Sequence, residues 1–226
     1  MSNATQEPVV VKKVPVAALA AEIFCAALGR AAELPIPEPV IIKDEEADLF
    51  LFGSIYQAYP NLLQKFQFDS SRISDEQLKL VGARVMQWTR ICDVMGFDEW
   101  INNVDRNLQN ILWDGYDEFV LIDHGQTLGT APTGVPDENK LIKLALHSLM
   151  PSLAAVDDLK ARVLNAAVEF EPGFASEAAD TLYAAPVFGA SNACTGYLNF
   201  VINRLPKLAN LLVERFPTKQ MNLALT

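Results

Sequence analysis

The chain has 226 residues, half of them hydrophobic, and 18 Lys and Arg against 28 Asp and Glu give it a formal net charge of −10. That length holds one bilobal domain or two small ones with a sizeable core, and that hydrophobic share excludes an intrinsically disordered chain. No basic run is longer than Lys12-Lys13, which argues against a nucleic-acid surface and against an electrostatic membrane anchor, since both need clustered cations.

Residues 1–8 form a polar lead-in. Pro8 to Lys13 is Val-rich and reads as a strand, and Val16 to Ala32 is dominated by Ala, Leu, Ile and Phe and reads as a helix. Pro35, Pro37 and Pro39 exclude helix and demand an extended segment. Val40–Ile42 and Leu49–Phe52 follow as two strands around the acidic turn Asp44–Asp48. Residues 1–56 are therefore expected to form a small strand–helix–strand–strand lobe ending in a hinge. The fold class is α+β: that small lobe is followed by a larger, mostly helical lobe over residues 57–226 that contains one β-hairpin.

In the larger lobe Ser74, with Gln77 three residues on, is a capping box that opens a helix expected from Asp75 to Met95. Gly96 should end it, with a short turn through Trp100 and Ile101. Asn110–Trp113 and Glu118–Ile122 read as a hairpin turning at Asp114-Gly115. Gly129, Pro132, Gly134 and Pro136 mark a loop, and helices are expected at about 137–150, 156–170, 173–184 and 192–215. Trp88, Trp100, Trp113 and His147 sit in apolar patterns and read as core or half-buried.

Cys25, Cys92 and Cys194 are odd in number and include no CxxC pair. They read as buried, reduced thiols of a cytoplasmic protein rather than disulfides or a zinc site. The apolar stretch Val14–Leu28 contains Glu22 and lacks a basic leader, so it does not read as a signal peptide. No apolar run reaches the ~18 residues that a membrane span requires.

The chemistry is concentrated in Asp105-Arg106-Asn107-Leu108-Gln109-Asn110 and Asp123-His124-Gly125. An Asp five residues before an Asn, then a hairpin returning a further Asp, is an acid layout for phosphoryl transfer. In that template the first Asp takes or orients the proton of the acceptor hydroxyl, and the Asn and later Asp hold Mg²⁺ against nucleotide phosphates. The bland reading, a surface hairpin with scattered acids, requires three polar residues to match both spacing and topology by accident. Between Asp98 and Asp123 there are seven acids and one base, Arg106. If they shared a cleft, that excess would call for a bound cation.

These residues, together with Val9-Val10-Val11-Lys12, Glu22, Leu34–Pro39, Phe52-Gly53-Ser54, Phe97–Arg106, Leu121–Gly125 and the tail Phe200–Leu205, give a chain that resembles the HipA-like kinases in their compact form. The resemblance implies a kinase-like bilobal fold, ATP and Mg²⁺, and transfer to a hydroxyl, most often a protein serine or threonine. It implies Asp105 as catalytic base, Asn110 and Asp123 as metal ligands, and Lys12 paired with Glu22 beside the phosphates. Phe52-Gly53-Ser54-Ile55-Tyr56 would be the hinge whose backbone reads adenine, with Phe52, Gly53 and Ser54 as its nucleotide-contacting residues and Gly53 permitting close approach. By strand alternation only one of Lys12 and Lys13 can face the cleft, and the pattern favours Lys12. Arg106 either holds the catalytic loop or a phosphorylated group, or forms a structural ion pair. His124, in place of the Phe of Asp-Phe-Gly, is expected to pack and orient the loop.

One feature departs from the kinase pattern. No glycine precedes Gly29, so the small lobe reads as truncated, without a Gly-rich hairpin to cover the phosphates. Three readings follow: an active kinase with weak nucleotide affinity, a lobe completed by a partner chain, or a nucleotide-binding pseudokinase serving as an interaction subunit. The helix Val16–Ala32 carries more apolar surface than three strands can cover, so association through the N-terminal lobe, with another copy or another protein, is expected.

Overall fold

The computed structural model describes residues 7–69, 72–130, 132–149, 152–185, 187–188 and 192–217. Most of the polar lead-in lies outside the described residues. β1 (Val9–Lys12) and β2 (Pro39–Asp44) flank β3 (Leu49–Ile55) in an antiparallel sheet of order β1-β3-β2. The register sets Lys12 opposite Phe52, and Gly53 opposite Val11 on one side and Val40 on the other. The acidic turn forms as expected, with Asp44 Oδ1 accepting the N–H groups of Glu46 and Ala47.

Between β1 and β2 runs α1 (Val16–Ala31), which is apolar around most of its circumference and must be covered on all sides. The sheet covers one side. The other is covered by α7 (Pro172–Tyr183) and α8 (Asn192–Arg204) of the large lobe, where Tyr197 Oη donates to the carbonyl of Ala17 at 3.0 Å. The apolar surplus expected to seek a partner is thus buried within the chain.

The large lobe begins with α2 (Leu62–Phe66) and α3 (Asp75–Val85), the latter opened by the Ser74–Gln77 capping box. The single helix expected to Met95 is two helices. After Val85 the chain turns, Trp88 enters the core to stack on Phe119 at 4.9 Å between centroids, and α4 (Ile91–Trp100) follows. Arg90 at that corner binds Asp93 and donates to the carbonyl of Glu33 in the small lobe at 3.2 Å. Gly96 does not stop α4; it lies inside it because Phe170 packs where a Cβ would stand, 2.9 Å from that position.

β4 (Ile111–Trp113) and β5 (Phe119–Leu121) form the hairpin, shorter than expected at both ends. Asn110 belongs to the 3₁₀ turn Leu108–Asn110, and the loop spans five residues, tied by Asp114 Oδ1 accepting from the N–H groups of Tyr116 and Glu118. Then come α5 (Lys140–Leu149), α6 (Leu153–Ala167), α7, α8 and α9 (Leu208–Glu214). The last expected helix is split by the 3₁₀ turn Leu205–Lys207 around Pro206, which lacks the N–H that a continuous helix requires.

One continuous core runs through both lobes, with Phe24, Phe97, Trp100 and Ile101 fully buried. All three tryptophans are buried, and Trp100 donates its indole N–H to the carbonyl of Val201 at 2.9 Å. The three cysteines are buried and free. Among the described residues no helix is long and apolar enough to cross a membrane.

Candidate active site

Strand alternation sends Lys12 toward the cleft and leaves Lys13 exposed. The ammonium of Lys12 lies 2.9 Å from Glu22 Oε1 and 2.8 Å from Asp123 Oδ1. Glu22 is almost fully buried in α1, and its second oxygen accepts the backbone N–H of His124 at 2.7 Å. Burial pushes the Glu22 carboxyl up more strongly than the Lys12 charge and the His124 N–H pull it down. For Asp123 burial also pushes up, but the bond to Lys12 and its charge prevail, so its carboxyl is held below its usual value. Burial draws Lys12 down, and its two carboxylate partners more than reverse this. The triad holds one lysine between an inner and an outer acid. Asp123 adopts a left-handed conformation, φ 59°, as the chain turns from β5 into the segment beneath α1.

The Asp105–Asn110 loop is fixed from several directions. Asn103 Oδ1 accepts the N–H of Asp105 at 3.0 Å, and Asn110 Nδ2 donates to the carbonyl of Asp105 at 2.8 Å. That bond orients the Asn110 amide and leaves Oδ1 as its remaining acceptor. Both oxygens of the Asp105 carboxylate are held: Oδ1 by Lys140 Nζ at 3.1 Å and Oδ2 by Gln126 Nε2 at 3.2 Å. Arg106 points the other way, into the core, where it meets Asp98 and the carbonyls of Asn110 and Ile122. Its donors are committed inside the protein, which settles Arg106 as an ion-pair clamp of this loop rather than a phosphate receptor.

Between the lobes opens a cavity of about 450 Å³ whose lining includes Lys12, Glu22, Phe52, Ser54, Leu112 and Asp123. Of the segment expected to be the hinge, Phe52, Ser54, Ile55 and Tyr56 line it and Gly53 does not. The peptide groups of Phe52, Gly53 and Ser54 stand inside a ladder paired on both sides, and the space left by the missing side chain of Gly53 is used by Val9 and Ile42. The chain leaves the sheet only after Tyr56, whose N–H still bonds to the carbonyl of Pro8, so unpaired backbone begins at the end of the segment expected to be the hinge.

The acid excess of residues 98–123 does not collect in this cleft. Asp98 is neutralised by Arg106, and buried Glu99 by Arg204 and Arg215 from the C-terminal helices. Asp114, Asp117 and Glu118 belong to the hairpin loop. Among the described residues no three His, Cys, Asp or Glu side chains are placed to hold a metal by themselves. Asn110 carries an amide oxygen and Asp123 a carboxylate, hard donors of the kind that suit a cation such as Mg²⁺ when phosphate oxygens and water complete its shell. Lys140 and Gln126 escaped the sequence reading because they lie 35 and 21 residues after Asp105, outside any motif.

His124 is buried with its ring edge-on to Phe97 and its Nε2 unpartnered, a packing role as expected. His147 is half-buried, 3.9 Å from Asp75.

Residues 6–171, a span that includes every site residue above except Arg204 and Arg215, match the family model described as HipA-like kinase. The chain belongs to the HipA-like kinase family. This HipA-like kinase is also similar in structure to CtkA, a proinflammatory kinase of Helicobacter pylori, with a TM-score of 0.55 and 10% identity over 93% of this chain and 89% of that one. At that identity the likeness speaks to the fold, an α+β kinase-like architecture. No curated protein matches by sequence. Family membership makes the chain a phosphotransferase in general terms.

Proposed function

We propose that this HipA-like kinase transfers the γ-phosphoryl group of ATP, with Mg²⁺, to a serine or threonine hydroxyl of a protein. The observation that supports it most strongly is the Lys12–Glu22–Asp123 contact at the mouth of the interlobe cavity. A lysine there can exchange its outer acid for phosphate oxygens while its inner acid keeps it in place. Phe52 and Ser54 form part of the adenine wall, and backbone beyond Tyr56 supplies the hydrogen bonds that the laddered Gly53 cannot.

Asp105 accepts the proton of the acceptor hydroxyl as that oxygen attacks the γ-phosphorus; the bond to the bridging oxygen breaks and ADP leaves. Lys140 and Gln126 hold the carboxylate of Asp105 toward the acceptor. Bound Mg²⁺ would neutralise phosphate charge, with Asn110 and Asp123 as its protein ligands. Buried reduced thiols, with Cys25 pushed up to about 12 by burial, suit a cytoplasmic setting and take no part in the chemistry.

A second reading is a catalytically weak or inactive nucleotide-binding subunit that works through a partner. It is supported by β1, an edge strand whose Val10 and Val11 are about half exposed, 51% and 49%. A strand from a second copy or another protein could extend the sheet there. Transfer of label from γ-labelled ATP to protein by the purified chain tests the first reading. Nucleotide binding with no transfer, with or without added partners, supports the second.

A further inference from the structure

A second cavity, about 420 Å³, lies on the other face of the Asp105–Asn110 loop, beside α2, α3 and α5. Leu63, Leu78, Leu108, Leu141 and Leu144 line it. Arg106 contributes to this lining and also donates to the carbonyl of Ile122, which lines the interlobe cavity. The two spaces therefore approach each other across the loop that carries Asp105. Lys140, also in the lining, reaches Asp105 itself. A transferase needs a pair of spaces, one for the donor nucleotide and one for the acceptor, within reach of its base; Asp105 lines neither cavity, and Lys140 joins it to this one.

The chemistry of the walls narrows the acceptor. Sugars and other polyhydroxyl compounds would lose water against leucine without gaining partners, whereas a bulky apolar side chain is stabilised there by its burial. Two lysines stand on the rim, each held by an acid: Lys140 by Asp105 at 3.1 Å and Lys143 by Glu138 at 2.7 Å. The Lys143 side chain is largely exposed, 70%; a solvent-exposed pair of that kind contributes little to stability, so Lys143 can exchange Glu138 for an incoming carboxylate.

Resting on the phosphotransfer reading, we propose that this leucine-lined cavity is the acceptor-docking site. It takes a peptide segment that seats a bulky apolar side chain in the cavity and an acidic residue near Lys143, which brings the neighbouring serine or threonine to Asp105.

The test is a positional-scanning serine/threonine peptide library with Mg²⁺ and ATP, with nucleotide-induced thermal shift measured alongside. The wild-type chain should favour Leu, Phe or Trp over Gly at one fixed offset from the hydroxyl by about tenfold, and should favour Asp or Glu at another. Leu144→Trp, which fills the cavity, should abolish the apolar preference while keeping the nucleotide shift. Leu78→Trp serves the same purpose from the α3 wall if the first variant melts early. Lys143→Glu, at an exposed position, should turn the acidic preference into a basic one. Binding of nucleotide with no apolar preference, with no peptide phosphorylated, or with wild-type preferences surviving in Leu144→Trp and Lys143→Glu overturns the docking proposal alone. A wild-type chain that shows no nucleotide shift overturns the phosphotransfer reading and this proposal with it.

Discussion

Arg106 meets Asp98 through Nε and Nη2, at 3.1 and 3.0 Å, with both side chains withdrawn from solvent. The same guanidinium donates to the carbonyls of Asn110 and Ile122 at 3.3 and 2.8 Å. One buried cation thus joins α4, the loop after Asp105 and the end of the hairpin. Removing it strands a buried carboxylate, which costs about 3–5 kcal/mol. Arg106→Ala should lower the unfolding free energy by that amount in urea denaturation. The double variant Asp98→Leu with Arg106→Met should recover part of the loss, because it leaves no unpaired charge.

Lys12 is the cation between Glu22 and Asp123, and the phosphate-facing role given to it predicts a loss larger than that of its inner partner. Charge-assisted hydrogen bonds are worth about 1.5–3 kcal/mol, so Lys12→Met should weaken nucleotide affinity by roughly tenfold to a hundredfold. Glu22→Gln should weaken it less, since the lysine remains. Calorimetric titration with ATP and Mg²⁺ measures both, and equal losses would speak against a direct phosphate contact.

In the proposed metal site Asp123 supplies the carboxylate beside the Asn110 amide oxygen. In the wild type, Mg²⁺ should increase the thermal shift produced by ATP. Asp123→Ala should abolish the Mg²⁺-dependent part. An unchanged Mg²⁺ effect in the variant would remove Asp123 from the ligand set.

His124 carries a pH dependence whose sign follows from its burial. Burial, then the charges of Arg106 and Lys12, holds its imidazole well below its usual value near 6.5, so the folded chain keeps it neutral where the unfolded chain takes up a proton. Its contribution to stability is present above about pH 6.5 and is lost as pH falls, at up to about 1.4 kcal/mol per unit. The unfolding free energy of the wild type minus that of His124→Phe should therefore fall by about 1–2 kcal/mol from pH 7 to pH 5. A constant difference would mean that the buried ring accepts a proton in the fold.

How much of this was legible in the sequence depended on distance along the chain. The strand–helix–strand–strand order, the Ser74 cap and the hairpin rest on local patterns and were readable. Lys12 could be preferred over Lys13 by alternation and motif, and the structure sets it against Glu22 and Asp123. The break between α3 and α4 was not readable, because Trp88 is drawn out of a continuous helix by Phe119 on the hairpin. Nor was the quenching of Glu99, whose partners Arg204 and Arg215 lie more than a hundred residues away. The apolar excess of α1 looked like an interface for the same reason: α7 and α8, which cover it, are some 150 residues downstream.

The central claim is that Asp105, held by Lys140 and Gln126, is the base of a phosphoryl transfer. Asp105→Asn keeps the shape of the side chain and removes its capacity to take a proton. The most direct measurement is single-turnover transfer from γ-labelled ATP, with ATP affinity determined on the same preparations. The account predicts a fall in transfer of about 10²–10⁴-fold with ATP affinity within a few-fold of wild type. Transfer at the wild-type rate in Asp105→Asn, or a loss of ATP binding that accounts for the whole defect, would contradict it.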